Sequence, residues 1–229
     1  MPENRSGTLP GQAGEATGNG APRAQLVTTG YAMMIPAGWR QIPVRRGSER
    51  VIGEIASEVV GRMRGRVSRD KLAQHQAELT SRLTAMVKQA RRGGAVDLYL
   101  PVQYIHGLAV PASMVVAHGS LGPPPEGLDA AGLVALLAAE DSGTTAVTVG
   151  GAIAARREHV AEPEQAQEFT VGSRRVDYMI PVPRTRDDWL IITFVTLGSG
   201  DPDGDFAKLL VEWFDAVVST FEWTTDAPA

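Results

Sequence analysis

The sequence predicts an α+β fold in which helices cover a mainly antiparallel sheet. Strand patterns occur mostly as neighbouring pairs joined by turns, and helical patterns stand between these pairs. Strands joined by short turns pair antiparallel, while an amphipathic helix must bury its apolar side against another layer. With 229 residues and 43% hydrophobic content, the chain is long and apolar enough to fill the core of one such domain.

The C-terminal fifty residues carry the clearest of these patterns. Two apolar strands, 176–183 and 189–197, are joined by a polar turn. The turn formers of 198–205 follow, and we expect their carboxylates to cap a helix. Apolar residues at helical spacing predict one buried stripe on that helix: Phe206, Leu210, Trp213, Phe214, Val217 and Phe221.

The elements before this block are predicted from the same kind of local spacing. Apolar residues recur every fourth position in a first helix, and Ser68 and Gly93-Gly94 bound a second. In chain order the predicted elements are an opening hairpin (27–35 and 39–44), a helix with Val51, Ile55, Val59 and Met63 on one face, a helix with Leu72, Leu79, Leu83, Met86 and Ala90 on one face, strands at 96–104 and 108–116, a short helix capped by Asp129, and a strand pair at 144–149 and 152–160.

The composition along the chain predicts one domain with two loose ends. Residues 1–24 are rich in Gly, Pro and polar side chains, so they cannot bury enough surface to offset the entropy of ordering. We expect a disordered N-terminal tail over 1–24, a single domain over 25–223 and a frayed C-terminus over 224–229. Because no linker or internal repeat interrupts the body, a division into two domains is not predicted.

Composition also narrows the chemistry and the location. The chain has no cysteine, which excludes disulfides, thiolate metal sites and cysteine nucleophiles. The chain contains no run of about 18 apolar residues, so no membrane span is predicted, and the N-terminus has no apolar signal region. The excess of Arg over Lys, together with abundant Ala and Gly, indicates GC-rich coding. We therefore expect a bacterial cytoplasmic protein, with export by a non-standard route as the alternative.

Three segments give the chain a family resemblance. Tyr31-Ala-Met-Met-Ile-Pro-Ala-Gly-Trp39, Trp189-Leu-Ile-Ile-Thr-Phe-Val-Thr196 and Phe214-Asp-Ala-Val-Val-Ser-Thr-Phe221 together resemble the PsbP-like fold over about residues 27–223. This family includes the photosystem II extrinsic P subunit and small exported proteins of GC-rich bacteria. The resemblance implies an α/β/α sandwich with a binding or accessory role and no shared catalytic set.

The candidate catalytic residues are weak, and the sequence predicts neither a catalytic residue nor a bound cofactor. The histidines His75, His106, His118 and His159 lack metal-ligand spacing. His118-Gly119-Ser120 places a histidine near a serine in a predicted loop, but such neighbours rarely have the geometry of a nucleophile and its base.

One carboxylate pattern comes near to a calcium loop. Asp201, Asp203, Asp205 and Glu212 occupy positions 1, 3, 5 and 12 of that motif. Position 6 needs Gly for a sharp turn, and this chain has Phe206 there. We therefore predict no metal site, and we interpret the acidic residues as helix-capping groups.

Two further groups have both a functional and a structural interpretation. Four aromatic residues form either a ligand pocket or, as we favour, core and edge positions: Trp39, Tyr99, Tyr104 and Trp189. Four arginines flank the C-terminal strands and are expected to shield a hairpin edge or turn: Arg174, Arg175, Arg184 and Arg186.

The charge distribution is the one feature that the fold does not require. Residues 40–92 hold thirteen basic against five acidic side chains, a net of +8, while the remainder holds nine against twenty-one, a net of −12. This asymmetry indicates a basic helical face. In the structural interpretation, the basic helices lie over an acidic surface of the same domain or are simply solvated. In the functional interpretation, the face binds an acidic partner protein, an anionic membrane surface or nucleic acid.

From these observations the leading functional hypothesis is a non-catalytic binding or accessory domain that contacts a protein partner, and the basic helical face favours an acidic one. The expected contact residues are four arginines at the junction of the two helices: Arg62, Arg64, Arg66 and Arg69. Two alternatives remain, a hydrolytic or ligand-processing enzyme and a nucleic-acid-binding protein. Nucleic acid is less favoured because the basic segment has no aromatic residue after Trp39 for base stacking. The oligomeric state is not predicted.

Overall fold

The computed structural model describes residues 27–104, 107, 109–122, 125–161, 172–196 and 201–226. The expected tail over 1–24 lies outside the described residues. The elements are, in chain order, β1 Val27–Ala32, β2 Trp39–Pro43, α1 Ser48–Gly61, α2 Arg69–Arg92, β3 Ala95–Pro101, β4 Ala112–Ser120, α3 Ala130–Glu140, β5 Thr144–Val149, β6 Ala152–Ala161, β7 Ser173–Pro181, β8 Asp188–Thr196, α4 Asp205–Val218 and β9 Glu222–Asp226.

Seven of the described strands form one antiparallel sheet in the order β2-β3-β4-β8-β7-β6-β5. Helices pack on this sheet, so the predicted α+β class is confirmed. The pairs β5–β6 and β7–β8 are the predicted hairpins. Because side chains alternate across a strand, Leu98 and Leu100 contact the α1–α2 core while Tyr99 joins the core on the opposite face.

The helices form layers on both faces of the sheet. One face is covered by α1 and α2 at the β2–β3 side and by α3 over Ala155, Met179 and Trp189. The other face carries α4, whose Phe214 stacks on Phe194 with ring centroids 4.7 Å apart. The sheet therefore lies between helical layers, with separate apolar cores above and below it.

The prediction of an opening hairpin is wrong. The strand β1 pairs with β9 in a separate two-stranded sheet, and β2 pairs with β3. The reason is tertiary, because the Tyr31 ring stacks on Phe221 and its hydroxyl donates to Asp97 of β3. The same pairing places 224–226, which we expected to fray, in strand β9.

Two predicted helix stripes differ from the buried faces. In α4 the buried residues centre near Phe214, so Phe206, at the margin of that face, is 40% exposed. In α2 the buried residues are Leu83 and Val87, and Met86 is 40% exposed. The α2 helix therefore leaves most of its surface open.

The predicted helix caps are confirmed only in part. Asp129 caps α3 as predicted, its Oδ1 accepting from the Gly132 amide at 2.8 Å. Ser68 is the N-cap of α2 without a side-chain cap bond. The predicted carboxylate cap of α4 is wrong, since Gly204 is the N-cap and only Asp205 lies in the first turn. Among the described helices, none is both long and apolar enough to cross a membrane.

Candidate functional site

The junction between α1 and α2 is a short loop held by its own backbone. The Met63 amide donates to the Val60 carbonyl at 3.0 Å, and the Arg66 amide donates to the Met63 carbonyl at 3.1 Å. Gly65 has φ +82°, a backbone conformation that residues with a Cβ atom rarely adopt. These bonds fix the backbone conformation of the loop that carries the junction side chains.

The four predicted arginines lie on this loop and at the start of α2, and we call them the junction cluster: Arg62, Arg64, Arg66 and Arg69. All four are exposed. Arg62 is held within the domain, because it donates to Glu58 at 2.5 Å and to the Val102 carbonyl at 2.7 Å. The side chains of Arg64, Arg66 and Arg69 make no hydrogen bond or ion pair with any described residue, although the Arg64 and Arg66 amides donate within the loop.

A groove of about 560 Å³ opens beside the junction cluster. Of its apolar lining residues, Val60 is buried, and Val67 and Leu72 are half-buried. Its lining combines apolar and hydrogen-bonding side chains: Val60, Arg64, Gly65, Val67, Arg69, Leu72, Ala73 and Gln76. The groove thus offers apolar contact area flanked by two guanidinium groups that have no carboxylate partner among the described residues.

The ion pairs of the basic segment stay inside that segment. Glu54 and Glu58 accept from Arg40, Glu54 also from Arg50, and Glu58 also from Arg62, while Glu78 accepts from Arg82. No ion pair between described residues joins 40–92 to the acidic remainder. The interpretation in which the basic helices cover an acidic surface of the same domain therefore has no described ion pair in its support.

A second group of charges lies between β6, β7 and α4, and the sequence analysis did not predict that its members meet. Arg156 donates from Nε and Nη2 to the two carboxylate oxygens of Asp215 at 3.0 and 2.9 Å. Its Nη2 also donates to Glu158 at 2.8 Å, and Arg174 donates to Glu158 at 2.7 Å. We call this the arginine–carboxylate network: Arg156, Glu158, Arg174, Asp203 and Asp215, with Tyr178.

Burial and hydrogen bonding shift the pKa values of Glu158, Arg156 and Tyr178 in the network. Burial disfavours ionisation of Glu158, but the hydrogen bonds from Arg174 and Arg156 outweigh it and lower the pKa of that carboxyl. Burial favours a lower pKa for Arg156, but its hydrogen bonds to Asp215 and Glu158 outweigh burial and raise that pKa above its ordinary value. The pKa of Tyr178 is raised by burial and by its hydrogen bond to Asp215 at 2.8 Å. Each charge has an opposite partner, so the network stabilises the contact of α4 with the sheet.

A tyrosine pair joins β1 to the main sheet. The Tyr31 hydroxyl donates to Asp97 at 2.5 Å and lies 3.0 Å from the Tyr99 hydroxyl. Burial raises the pKa of Tyr99 to about 12 and that of Tyr31 still further. Gln41 donates to the second Asp97 oxygen at 2.8 Å, so both carboxylate oxygens are satisfied. Both phenols stay protonated at neutral pH, and the cluster anchors β1.

The three described histidines lie on separate elements, His75 in α2, His118 in β4 and His159 in β6. His75 and His118 are exposed, His159 is half-buried, and His106 lies outside the described residues. Among the described residues, no group of three side chains has metal-ligating geometry. His118 and Ser120 lie in strand β4 rather than in the predicted loop, and the Ser120 hydroxyl accepts from the Gly122 amide at 3.2 Å.

The four aromatic residues do not form a pocket either. Trp39 and Tyr99 belong to the core under α4, while Trp189 is buried on the opposite face under α3. Tyr104 is 72% exposed. For the three buried residues this agrees with the favoured structural interpretation.

The calcium-like carboxylates serve local structure. The Asp201 side chain accepts from the Asp203 amide at 2.9 Å, and Asp203 accepts from Arg174 at 3.1 Å. Arg174 and Arg175 do not shield an edge, because β7 lies inside the sheet between β6 and β8. Arg184, with φ +67°, and Arg186 lie in the turn between β7 and β8, as expected.

Asp177 is another residue that the sequence analysis missed. It is only 7% exposed in the middle of β7, where Arg175 donates two bonds to its Oδ1 at 2.9 and 3.0 Å. Thr193 of β8 donates to the same oxygen at 2.6 Å. A charged residue inside the apolar run 176–180 was the available signal, since a buried carboxylate requires partners of this kind.

Among the described residues, the junction cluster with its groove is therefore where cationic side chains without ionic partners and an apolar lining coincide. In the comparisons with known proteins, the chain matches neither a family model nor a curated protein.

Proposed function

We propose that the protein is a non-catalytic binding domain that contacts an acidic protein partner through the junction cluster. The observation that carries this proposal is that Arg64, Arg66 and Arg69 are exposed and have no ionic partner among the described residues. A cluster of like charges without counterions raises the local potential and attracts an oppositely charged surface.

The groove favours a particular kind of partner segment. Arg64 and Arg69 can each receive a carboxylate in a bidentate pair, and the apolar lining from Val60, Val67 and Leu72 can bury an aliphatic side chain between them. An acidic segment with one or two Leu or Ile residues fits both features. Nucleic acid fits less well because the lining contains no aromatic side chain on which a base could stack.

The test uses synthetic peptides of Asp and Glu with and without a central Leu, and a single-stranded oligonucleotide of similar charge. We expect fluorescence polarisation to show salt-sensitive binding that is tightest for the Leu-containing peptide. Tighter binding of the oligonucleotide would favour the nucleic-acid alternative. If none of the three probes binds at low salt, the groove does not recognise acidic ligands and the proposal fails.

Two double variants with the same change in net charge separate the groove from general charge attraction. Arg64→Glu with Arg69→Glu should weaken peptide binding roughly tenfold, because two attractive charge contacts are replaced by repulsion. Arg45→Glu with Arg46→Glu alters two exposed arginines before α1, at the opposite end of that helix from the groove. This control should retain most of the binding. Equal losses in both variants would contradict a specific site.

We also propose that the domain belongs structurally with the PsbP-like proteins. Helical layers on both faces of a seven-stranded antiparallel sheet agree with the α/β/α sandwich that the resemblance implies. Superposing an experimental structure of this protein on the photosystem II extrinsic P subunit tests the proposal, and a different strand order in the common sheet would reject it.

A further inference from the structure

Strand β5 is one edge of the seven-stranded sheet, and nothing in its sequence protects that edge. Its residues 144–149 read Thr-Thr-Ala-Val-Thr-Val, without a charge or a proline. Thr145, Ala146 and Thr148 are exposed. Natural sheets usually blunt such an edge with lysine, proline, a bulge or a covering loop, because an open edge pairs readily with another strand.

The hydrogen-bond register shows which backbone groups of β5 point outward. The Glu158 amide donates to the Gly143 carbonyl at 3.0 Å, and the register continues with Thr144 opposite Arg157. Hydrogen-bonded and non-bonded pairs alternate in an antiparallel ladder, so Ala146 and Thr148 direct their amide and carbonyl groups away from β6. Thr144 also directs its carbonyl outward, but its amide donates to the Asp141 carbonyl at 2.9 Å.

The opposite edge of the sheet, strand β2, is closed by comparison. The Val44 amide donates to the Val96 carbonyl, so by the same alternation Trp39, Gln41 and Pro43 face outward. Pro43 has no amide hydrogen, and the Trp39 amide donates to the Pro36 carbonyl at 3.3 Å. Gln41 alone of these three residues offers an outward donor, whereas β5 offers two donors and three acceptors.

Helix α3 adds an exposed apolar surface beside β5. Its sequence, Ala-Ala-Gly-Leu-Val-Ala-Leu-Leu-Ala-Ala-Glu, is apolar on every side except at Glu140. A helix that is apolar all round is normally buried, yet Leu136 is 39% exposed and Ala131, Ala135 and Ala139 are exposed as well. Ile153 of β6, directly across from Thr148, is 45% exposed on the same face of the sheet. This surface continues the open edge.

We propose that β5 pairs with β5 of a second copy of this chain, forming a homodimer with a continuous antiparallel sheet. With Ala146 opposite Ala146 of the second copy, the two amides and two carbonyls at that position satisfy one another. The Thr148 amide of each copy then meets the outward Thr144 carbonyl of the other. The pattern is therefore its own complement under a two-fold axis at Ala146, which an isologous dimer requires.

A second copy fits this edge better than an unrelated charged segment. The paired strands contain no charge, so the two-fold axis brings no like charges together across the junction, and the small Ala146 side chain leaves room at the axis. Edge pairing alone buries less than the roughly 800 Å² per partner of a standard interface. The apolar outer surface of α3 lies next to the edge and can supply the remaining contact area with α3 of the second copy.

The experiment is sedimentation velocity of the full chain at about 1 to 100 μM, since a modest interface has a Kd in this range. We expect a concentration-dependent monomer–dimer equilibrium. Ala146→Lys places two lysine side chains directly opposite each other across the axis, with Cβ atoms about 4.5 to 5.5 Å apart, and should raise the dimer Kd about tenfold because like charges there repel. Thr148→Pro removes an outward donor that the β5–β6 ladder does not use, and it should have the same effect.

The matched control is Gln41→Lys, which adds the same charge to the opposite edge and should leave the dimer Kd unchanged. Hydrogen exchange provides a local readout, because the amides of residues 146 and 148 should be protected in the dimer. In the Ala146→Lys variant, which retains Thr148, both amides should exchange faster than in the wild type at equal concentration. A wild-type protein that remains monomeric at the highest concentration overturns the proposal. A dimer that survives both β5 variants, with their thermal unfolding intact, also overturns it.

Discussion

The arginine–carboxylate network and the junction cluster use the same residue type in opposite ways. In the network, Arg156 and Arg174 have side chains only 16% exposed, and each meets two carboxylates. In the junction cluster, all four arginines are exposed and only Arg62 has a carboxylate partner among the described residues. The network joins strands to a helix across 59 residues of chain, whereas the cluster lies within eight consecutive residues.

The difference shows that the number of arginines does not indicate their role. A partly buried guanidinium needs its carboxylates, because an unpaired buried charge is strongly destabilising. An exposed guanidinium remains hydrated, so it costs the fold little and stays available for a partner. The same substitution should therefore act mainly on stability in the network and mainly on binding at the junction.

The largest expected effect is at Asp215, which accepts from both Arg156 and Tyr178. Asp215→Ala should lower the free energy of unfolding by about 2 to 3 kcal/mol, because Arg156 keeps one carboxylate partner but loses its bidentate one. Urea denaturation measures this change. Asp203→Ala is the control, since the Asp203 side chain is 71% exposed and its loss should cost less than about 0.5 kcal/mol. Equal losses of stability in the two variants would show that burial does not decide how much a carboxylate of the network contributes to stability.

A smaller loss is expected when the network keeps its charges. Tyr178→Phe removes only the hydroxyl that donates to Asp215, so the free energy of unfolding should fall by about 1 kcal/mol. Adding this change to Asp215→Ala should cost much less than the sum of the two single effects, because the hydroxyl has then already lost its acceptor. Fully additive effects would mean that the two side chains are not coupled.

The network should also make the stability of the protein depend on pH in the acidic range. The pKa of Glu158 is lowered in the folded protein, so the unfolded chain takes up its proton first as pH falls below the ordinary value of about 4.5. The contribution of Glu158 is therefore present above that pH and is lost as pH falls through the folded pKa. Thermal unfolding from pH 6 to 3 should show a shallower decline for Glu158→Gln than for the wild type. Parallel curves would contradict the lowered pKa.

The smallest effect on stability is expected at the junction. Arg64→Glu with Arg69→Glu should change the free energy of unfolding by less than about 0.5 kcal/mol, because neither arginine has a described partner to lose. The same variant should lose peptide binding, which is the reverse of the result expected for Asp215→Ala. A large loss of stability would show that these arginines support the fold and would remove the contrast between the two regions.

The predictions from sequence succeeded where neighbouring residues carry the information. The stop at Gly93-Gly94, the Asp129 cap and the β5–β6 and β7–β8 hairpins were all predicted from patterns within a few residues. The junction cluster was chosen in the same way, from a dense run of arginines, and its role in binding stays a prediction. The predicted stripe of α4 was rotated, because periodicity gives a helix an apolar side but not the orientation at which that side meets the sheet.

The sequence by itself determined the types of the helices and strands and most of their order, because hydrophobic period, caps and turn residues act over short distances. Only the tertiary structure decided which strands pair and which charges meet. The pairing of β1 with β9 joins residues almost 200 positions apart, and the bond from Arg156 to Asp215 spans 59. Such contacts depend on how all layers pack at once, and no local pattern records them. The same assembly left β5 at the edge of the described sheet and three junction arginines without an ionic partner among the described residues.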